Sequence, residues 1–157
     1  MFCTYYDSPI GVLLLECEED GLTGIWFDRE PKEAEITHPI LEKTKLWLDD
    51  YFSGRNPEPD IPVKLYGTPF QKQVWQLLMT IPYGQTRTYG SIAREMAALT
   101  GKENMSAQAI GQAVGKNPVS LLIPCHRVVG TGGRLTGYAG GLDKKVWLLE
   151  HEKRETI

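Results

Sequence analysis

The sequence predicts an α/β domain followed by a helical domain. Three observations carry that expectation. Three short apolar runs rich in strand-forming residues open the chain, the apolar spacing changes to a helical period at Pro39, and beyond the stretch Asn56-Pro57-Glu58-Pro59-Asp60-Ile61-Pro62 the pattern is almost wholly helical. With 157 residues, 41% hydrophobic and 24% charged, the chain has ordinary globular composition and enough length for one large or two small cores. The expected division is 1–67 and 68–157.

In the first domain the runs Phe2–Tyr6, Val12–Cys17 and Leu22–Phe27 are separated by Ser8-Pro9-Ile10-Gly11 and by Asp20-Gly21. This order predicts a three-stranded antiparallel meander, with Asp20-Gly21 supplying the positive φ angles of a tight hairpin turn. From Pro39, the residues Ile40/Leu41, Leu48 and Tyr51/Phe52 fall on one helical face, closed by Gly54. A helix on one face of the sheet completes a small α/β unit.

The second domain opens at Thr68-Pro69-Phe70-Gln71, where Thr68 can cap free amides, Pro69 suits the first turn and Gln71 can reach back. Phe70, Val74, Leu77/Leu78 and Ile81 form its buried stripe, and Pro82-Tyr83-Gly84-Gln85 makes a turn. A second helix, Tyr89–Leu99, carries Ile92, Ala93, Met96 and Leu99; Thr100-Gly101-Lys102 breaks it, and Ser106–Val114 forms a third. Helix, short glycine-containing turn, helix is the helix-turn-helix outline, which bundles that never touch DNA also share. The third helix is nearly all small residues, with Ala107, Gly111 and Gly115 on a single face. Glycine inside a helix costs about 1 kcal/mol, so Gly111 is expected to serve a close approach, by a neighbouring helix or by a ligand.

Composition narrows the function. No run approaches the ~18 apolar residues of a membrane span, and Met1-Phe2-Cys3-Thr4 lacks a secretory signal, so a cytoplasmic protein without a membrane partner is expected. Cys3, Cys17 and Cys125 cannot all pair and are expected as free thiols. No CxxC or HxxxH spacing occurs among them and the histidines, so neither a metal site nor a cofactor is expected. Net charge is −3, but residues 1–67 carry −8 and residues 68–157 carry +5. That asymmetry points the second domain toward a polyanion, a solvated basic face being the alternative.

The chemistry-bearing segment is Val119–Gly130, an apolar run expected to be extended, which reaches Cys125 between Pro124 and His126-Arg127. Basic neighbours favour the thiolate, the nucleophilic form of cysteine; a buried inert thiol is the alternative. Neighbouring residues of an extended chain point to opposite faces, so His126 would reach the sulfur only through a water or a bend.

Pro124-Cys125-His126-Arg127-Val128 resembles the hallmark of the O6-alkylguanine-DNA alkyltransferases, also called methylated-DNA–protein-cysteine methyltransferases. Pro82-Tyr83-Gly84, Tyr89, Asn117-Pro118-Val119, Gly137-Tyr138-Ala139-Gly140-Gly141 and Trp147-Leu148-Leu149-Glu150-His151-Glu152 resemble that family in order and spacing. The resemblance is strong over residues 68–154 and looser before them, through Asp7-Ser8-Pro9-Ile10-Gly11. It implies a ribonuclease-H-like α/β domain followed by a winged helix-turn-helix-type domain. The implied reaction is a single-turnover transfer of the alkyl group from O6-methylguanine, and from O4-methylthymine, to the protein's own cysteine. By position, Cys125 matches the acceptor, His126 the base acting through a water, and Glu152 the carboxylate that orients it. Asn117 matches the residue bracing the cysteine loop and Tyr89 a proton donor toward the base. The backbone near Cys125 and Val128, with Tyr138 and Ala139, matches positions lining the guanine pocket; where relatives often have serine, Ala139 offers only its backbone.

The resemblance also implies a monomer acting on double-stranded DNA, with the small-residue helix in the minor groove and the damaged nucleotide rotated out of the stack. Ala107, Gly111 and Gly115 suit close approach to the backbone, and Arg94, Lys102, Ser106 and Lys116 are candidate phosphate contacts. Some relatives bind zinc in the first domain; Cys3 lies near one such position, but Cys17 is displaced and matching histidines do not occur. The alternatives are a Cys-His thiol hydrolase and a non-catalytic protein that binds alkylated DNA. The arginine that typically fills the gap left by the flipped base falls at Gln108, which can hydrogen-bond the orphaned cytosine but brings no charge. Gln108→Arg is therefore expected to tighten DNA binding, read as affinity at two salt concentrations.

Overall fold

Strand-forming residues with a period of two build β1 (Phe2–Ser8), β2 (Gly11–Glu18) and β3 (Gly21–Phe27), antiparallel and in sheet order β1-β2-β3. In β2, Leu13, Leu15 and Cys17 are buried while the residues between them are half-buried, the alternation of a sheet packed on one face. The helix α1 (Pro39–Phe52) lies against all three strands and buries Leu41, Thr44, Leu48 and Tyr51. His38 caps it, Nδ1 accepting the Ile40 amide at 3.1 Å, and Gly54 ends the turn beyond it at φ +93°. The computed structural model describes residues 1–29 and 34–155. It divides the chain into two units, Met1–Tyr66 with Pro118–Leu122, and Gly67–Asn117 with Ile123–Ile157.

Two details of the first unit differ from expectation. The second hairpin turns through Glu19-Asp20, because Glu18 already pairs with Gly21, and neither Asp20 nor Gly21 has a positive φ. Gly21 is required for space instead. A Cβ there would stand 2.8 Å from the Lys64 nitrogen and the Val63 carbonyl carbon. The proline-rich segment thus leads into chain that pairs with β3: the Leu22 amide donates to the Pro62 carbonyl and the Lys64 amide to the Leu22 carbonyl, both at 2.8 Å. Farther along β3, the Ile25 amide donates to the Pro118 carbonyl at 2.9 Å, which draws 118–122 into this unit although they follow residue 68 in the chain. On the opposite side Cys3 and Ile36 exchange hydrogen bonds at 3.1 and 3.0 Å. Both outer strands therefore have partners for part of their length, which limits the unpaired edge they present.

In the second unit α2 (Pro69–Leu78) carries the expected capping box: Thr68 Oγ1 accepts the Gln71 amide at 3.1 Å and Gln71 Oε1 accepts the Thr68 amide at 3.0 Å. Its buried face is Val74, Trp75, Leu77 and Leu78, with Phe70 only half-buried. Trp75 Nε1 donates to the Ala113 carbonyl at 2.8 Å, tying α2 to α4 (Ala107–Gly115). Between them α3 (Tyr89–Thr100), capped by Thr88, buries Ile92, Ala93 and Met96 and ends at Gly101 with φ +72°. Leu99, expected in the core, is 65% exposed because it lies beyond the face that packs on α2 and α4. Ser106 caps α4 rather than beginning it, its hydroxyl accepting the Ala109 amide at 3.0 Å.

The segment from Val119 to Gly130 is not extended. Leu121 turns it at φ +73°, and Cys125–Arg127 form one 3-10 turn. Beyond that turn β5 (Val128–Val129) pairs in parallel with β4 (Arg87–Thr88), a two-residue ladder too short to leave a periodic signature. The last element, α5 (Leu142–Glu155), packs against the turn that carries Cys125.

Two glycines give opposite expectations. Gly21→Ala meets backbone atoms at 2.8 Å and is expected to cost about 1–3 kcal/mol. Gly115→Ala meets nothing within 4 Å and is expected to leave stability unchanged or raise it by up to about 1 kcal/mol. Thermal unfolding of the two variants against the parent measures both.

Candidate active site

The 3-10 turn distributes its three side chains among different tasks. Cys125, only 4% exposed, lines a cleft of about 560 Å³. One wall comes from α4 through Ala107, Gln108, Gly111, Val114 and Gly115, another from the loop Thr136–Ala139, and Tyr89 enters from the start of α3. Asn117, also buried, lines the same cleft, and its Nδ2 donates to the Ile123 carbonyl at 2.9 Å. The Cys125 amide donates to that carbonyl as well, at 2.8 Å, so one oxygen fixes both the asparagine and the backbone of Cys125.

His126 is turned toward α5, where its Nε2–H donates to Glu152 Oε2 at 2.5 Å. Both side chains are buried, at 0% and 1% exposure. Glu152 collects three further donors: Arg127 Nε at 2.8 Å, the second Arg127 amino nitrogen at 3.1 Å, and the Gly84 amide at 3.1 Å. Gly84, at φ +80°, takes the left-handed conformation in the turn that presents this amide. Burial alone would push the Glu152 carboxyl up, but the hydrogen bonds and charges of His126 and Arg127 outweigh it and hold the group well below the usual carboxylate range. Burial pushes His126 down, and the opposing pull of Glu152 does not restore it. The resting pair is an ionised carboxylate and a neutral imidazole. Since Nε2 carries the proton, Nδ1 is the basic nitrogen.

Glu152 is therefore no solvated helix end, and Arg127 serves the carboxylate rather than the sulfur. The structure also contains a functional-site residue that the sequence reading missed. Lys145 is fully buried on α5; its Nζ donates to the Thr136 carbonyl at 2.9 Å and the Gly137 carbonyl at 3.4 Å, and stands 5.9 Å from the Tyr89 ring centre. Burial lowers its proton affinity while the charge of nearby Cys125 works the other way. The signal was present: Lys145, Leu148 and Glu152 recur at helical spacing, and all three are buried.

Of the other expected residues, Tyr138 and Ala139 line the cleft. The Val128 side chain is buried in β5 and is not among the residues lining the cleft; the expectation for that position concerned its backbone. Arg94, Lys102, Ser106 and Lys116 are exposed on or beside α3 and α4, outside the cleft lining. The glycines of α4 are not required by its own packing. A Cβ at Gly111 would make ordinary 3.9 Å contact with Tyr89, and one at Gly115 would meet nothing. Space is thus left on the outer face of the helix. Among the described residues no group of three or more His, Cys, Asp or Glu could hold a metal ion, and no helix is long and apolar enough to cross a membrane.

Comparison with known proteins adds an independent finding. The family model for the 6-O-methylguanine DNA methyltransferase DNA binding domain matches residues 69–154, and that for the ribonuclease-like domain of the same enzymes matches residues 1–65. The methylated-DNA–protein-cysteine methyltransferase of Methanosarcina barkeri is 44% identical over 158 residues, covering 95% of this chain and 97% of its own. That of Methanosarcina acetivorans is 39% identical over 158 residues, covering 97% and 98%. The crystal structure of Mycobacterium tuberculosis OGT in complex with DNA matches with a TM-score of 0.83 at 41% identity, covering 99% of this chain and 94% of that one.

The buried pair also sets the protein's response to acid. Both His126 and Glu152 hold protons less readily when folded than when unfolded, so the unfolded chain binds more protons and stability is lost as the pH falls. The loss is expected to begin below about pH 6.5 through His126 and to steepen below about pH 4.3 as Glu152 is forced toward its lower folded value. Glu152→Gln is expected to be less stable at neutral pH and to lack the steeper lower part, measured by chemical denaturation across that range.

Proposed function

The chain belongs to the 6-O-methylguanine DNA methyltransferase family and repairs alkylated DNA by direct reversal, moving an alkyl group from DNA to its own cysteine; we propose that Cys125 is the acceptor. The observation that carries this reading is Cys125 at the cleft wall with a neutral, buried imidazole beside it in the chain, whose outer nitrogen is held by an ionised Glu152. The thiol proton passes through a water to His126 Nδ1, and Glu152 stabilises the imidazolium that results. The thiolate attacks the methyl carbon in line, the bond from that carbon to O6 breaks, and the departing guanine takes a proton from the Tyr89 hydroxyl. The product is a thioether on Cys125 and an unmodified guanine. No group in the cleft offers the thioether an exit, so each molecule reacts once.

Guanine O6 lies inside the duplex, and the nucleotide must leave the stack to reach the sulfur at a cost of a few kcal/mol. The outer face of α4, bare at Ala107, Gly111 and Gly115, suits the minor groove, and Gln108 on the same helix fills the space the nucleotide leaves. Arg94, Lys102, Ser106 and Lys116 contact phosphate, Asn117 braces the cysteine loop, and the backbone of Tyr138 and Ala139 receives the base. The protein acts as a monomer on duplex DNA carrying O6-methylguanine, and O4-methylthymine is a second substrate of the same cleft. Incubation with duplex DNA containing O6-methylguanine is expected to add one methyl per molecule in intact mass. Cys125→Ser is expected to add none, and product beyond one equivalent would sink the reading.

A further inference from the structure

Arg127 is the charged residue of Pro124-Cys125-His126-Arg127-Val128 that the transfer chemistry leaves without a task. Its side chain is nevertheless tightly engaged. Two nitrogens grip the two oxygens of Glu152 at 2.8 and 3.1 Å, a third donates to the Ile81 carbonyl at 2.7 Å, and the guanidinium lies 5.6 Å from the Tyr83 ring centre. A planar fork anchored at its far side fixes the rotation of a carboxylate as well as its position.

We propose that Arg127 is the positioning residue that keeps His126 neutral and ready to accept a proton, by clamping Glu152 in line with the imidazole and balancing its charge. The proposal rests on reading His126 as the base. A carboxylate buried to 1% exposure against an imidazole at 0% favours a proton on the ring, and a ring already protonated cannot take one from the thiol. The charged and titratable groups around His126 are Glu152 and Lys145 on α5 and Arg127 and Cys125 on the 3-10 turn. Glu152, and Cys125 once ionised, favour the imidazolium; Arg127 and Lys145 oppose it. Arg127 stays charged throughout and exchanges no proton. Its part is to cancel the carboxylate at rest while leaving Nε2 its acceptor.

The test follows the His126 ring by nitrogen-15 NMR titration, assigned against His38 and His151, together with single-turnover methyl transfer across pH. In Arg127→Met the His126 midpoint is expected to rise by about one pH unit. Below the parent's midpoint transfer is then expected to fall by up to about tenfold, and near pH 9 by no more than about threefold. Arg127→Gln, which keeps donors without charge, is expected to show the same midpoint shift and serves if the methionine variant does not fold. Arg127→Lys restores the charge without the fork and is expected to return the midpoint near the parent's while transfer remains slower at every pH. An unmoved midpoint in the uncharged variants, with transfer reduced equally at all pH values, overturns the proposal and leaves Arg127 a packing residue. The titration involves no DNA. A His126 that responds as expected in a protein whose Cys125 takes no methyl would instead overturn the transfer reading.

Discussion

The second unit depends on one buried carboxylate. Glu152 gathers the imidazole of the 3-10 turn, the guanidinium of the same turn and the amide of Gly84, and so joins α5, the cysteine turn and the turn after α2 at a single point. Removing an anion from water costs several kcal/mol unless its oxygens are satisfied, and here four donors satisfy them. The arrangement fixes the tautomer of His126, with Nδ1 left as the basic nitrogen beside a cysteine that faces the cleft. Structural and chemical demands on Glu152 coincide.

A second buried charge completes the electrostatics. Lys145 holds the carbonyls of Thr136 and Gly137, which belong to one wall of the cleft, and lies near both Tyr89 and Cys125. Such a cation favours negative charge on nearby groups, and its burial keeps solvent from screening it. Lys145 on α5 thus supports one wall of the cleft, while α4 lines another with a face bare of side chains at Gly111 and Gly115.

Much of this was legible along the chain. The meander, the capping box at Thr68 and Gln71, the helices beginning near Pro39, Pro69 and Tyr89, and the small-residue character of α4 all follow from interactions within a few residues, for which sequence spacing is a sufficient guide. The misreadings share a cause. Gly21 looked like a turn glycine, but the constraint came from Lys64, more than forty residues away. The run before Cys125 looked extended because its composition is apolar and β-branched, yet residues 118–122 join the first unit and Leu121 turns back with a positive φ.

By itself the sequence determined the two-part architecture, the local caps and periods, and the membership of a repair family, since these reside in short-range pattern and in a contiguous motif. Only the tertiary structure decided what Arg127 and Lys145 contact and that Glu152 is buried and ionised. Burial and charge pairing are properties of atoms brought together from distant positions. A linear pattern records that such residues are present, but the field each one experiences exists only after α5 has packed against the cysteine turn.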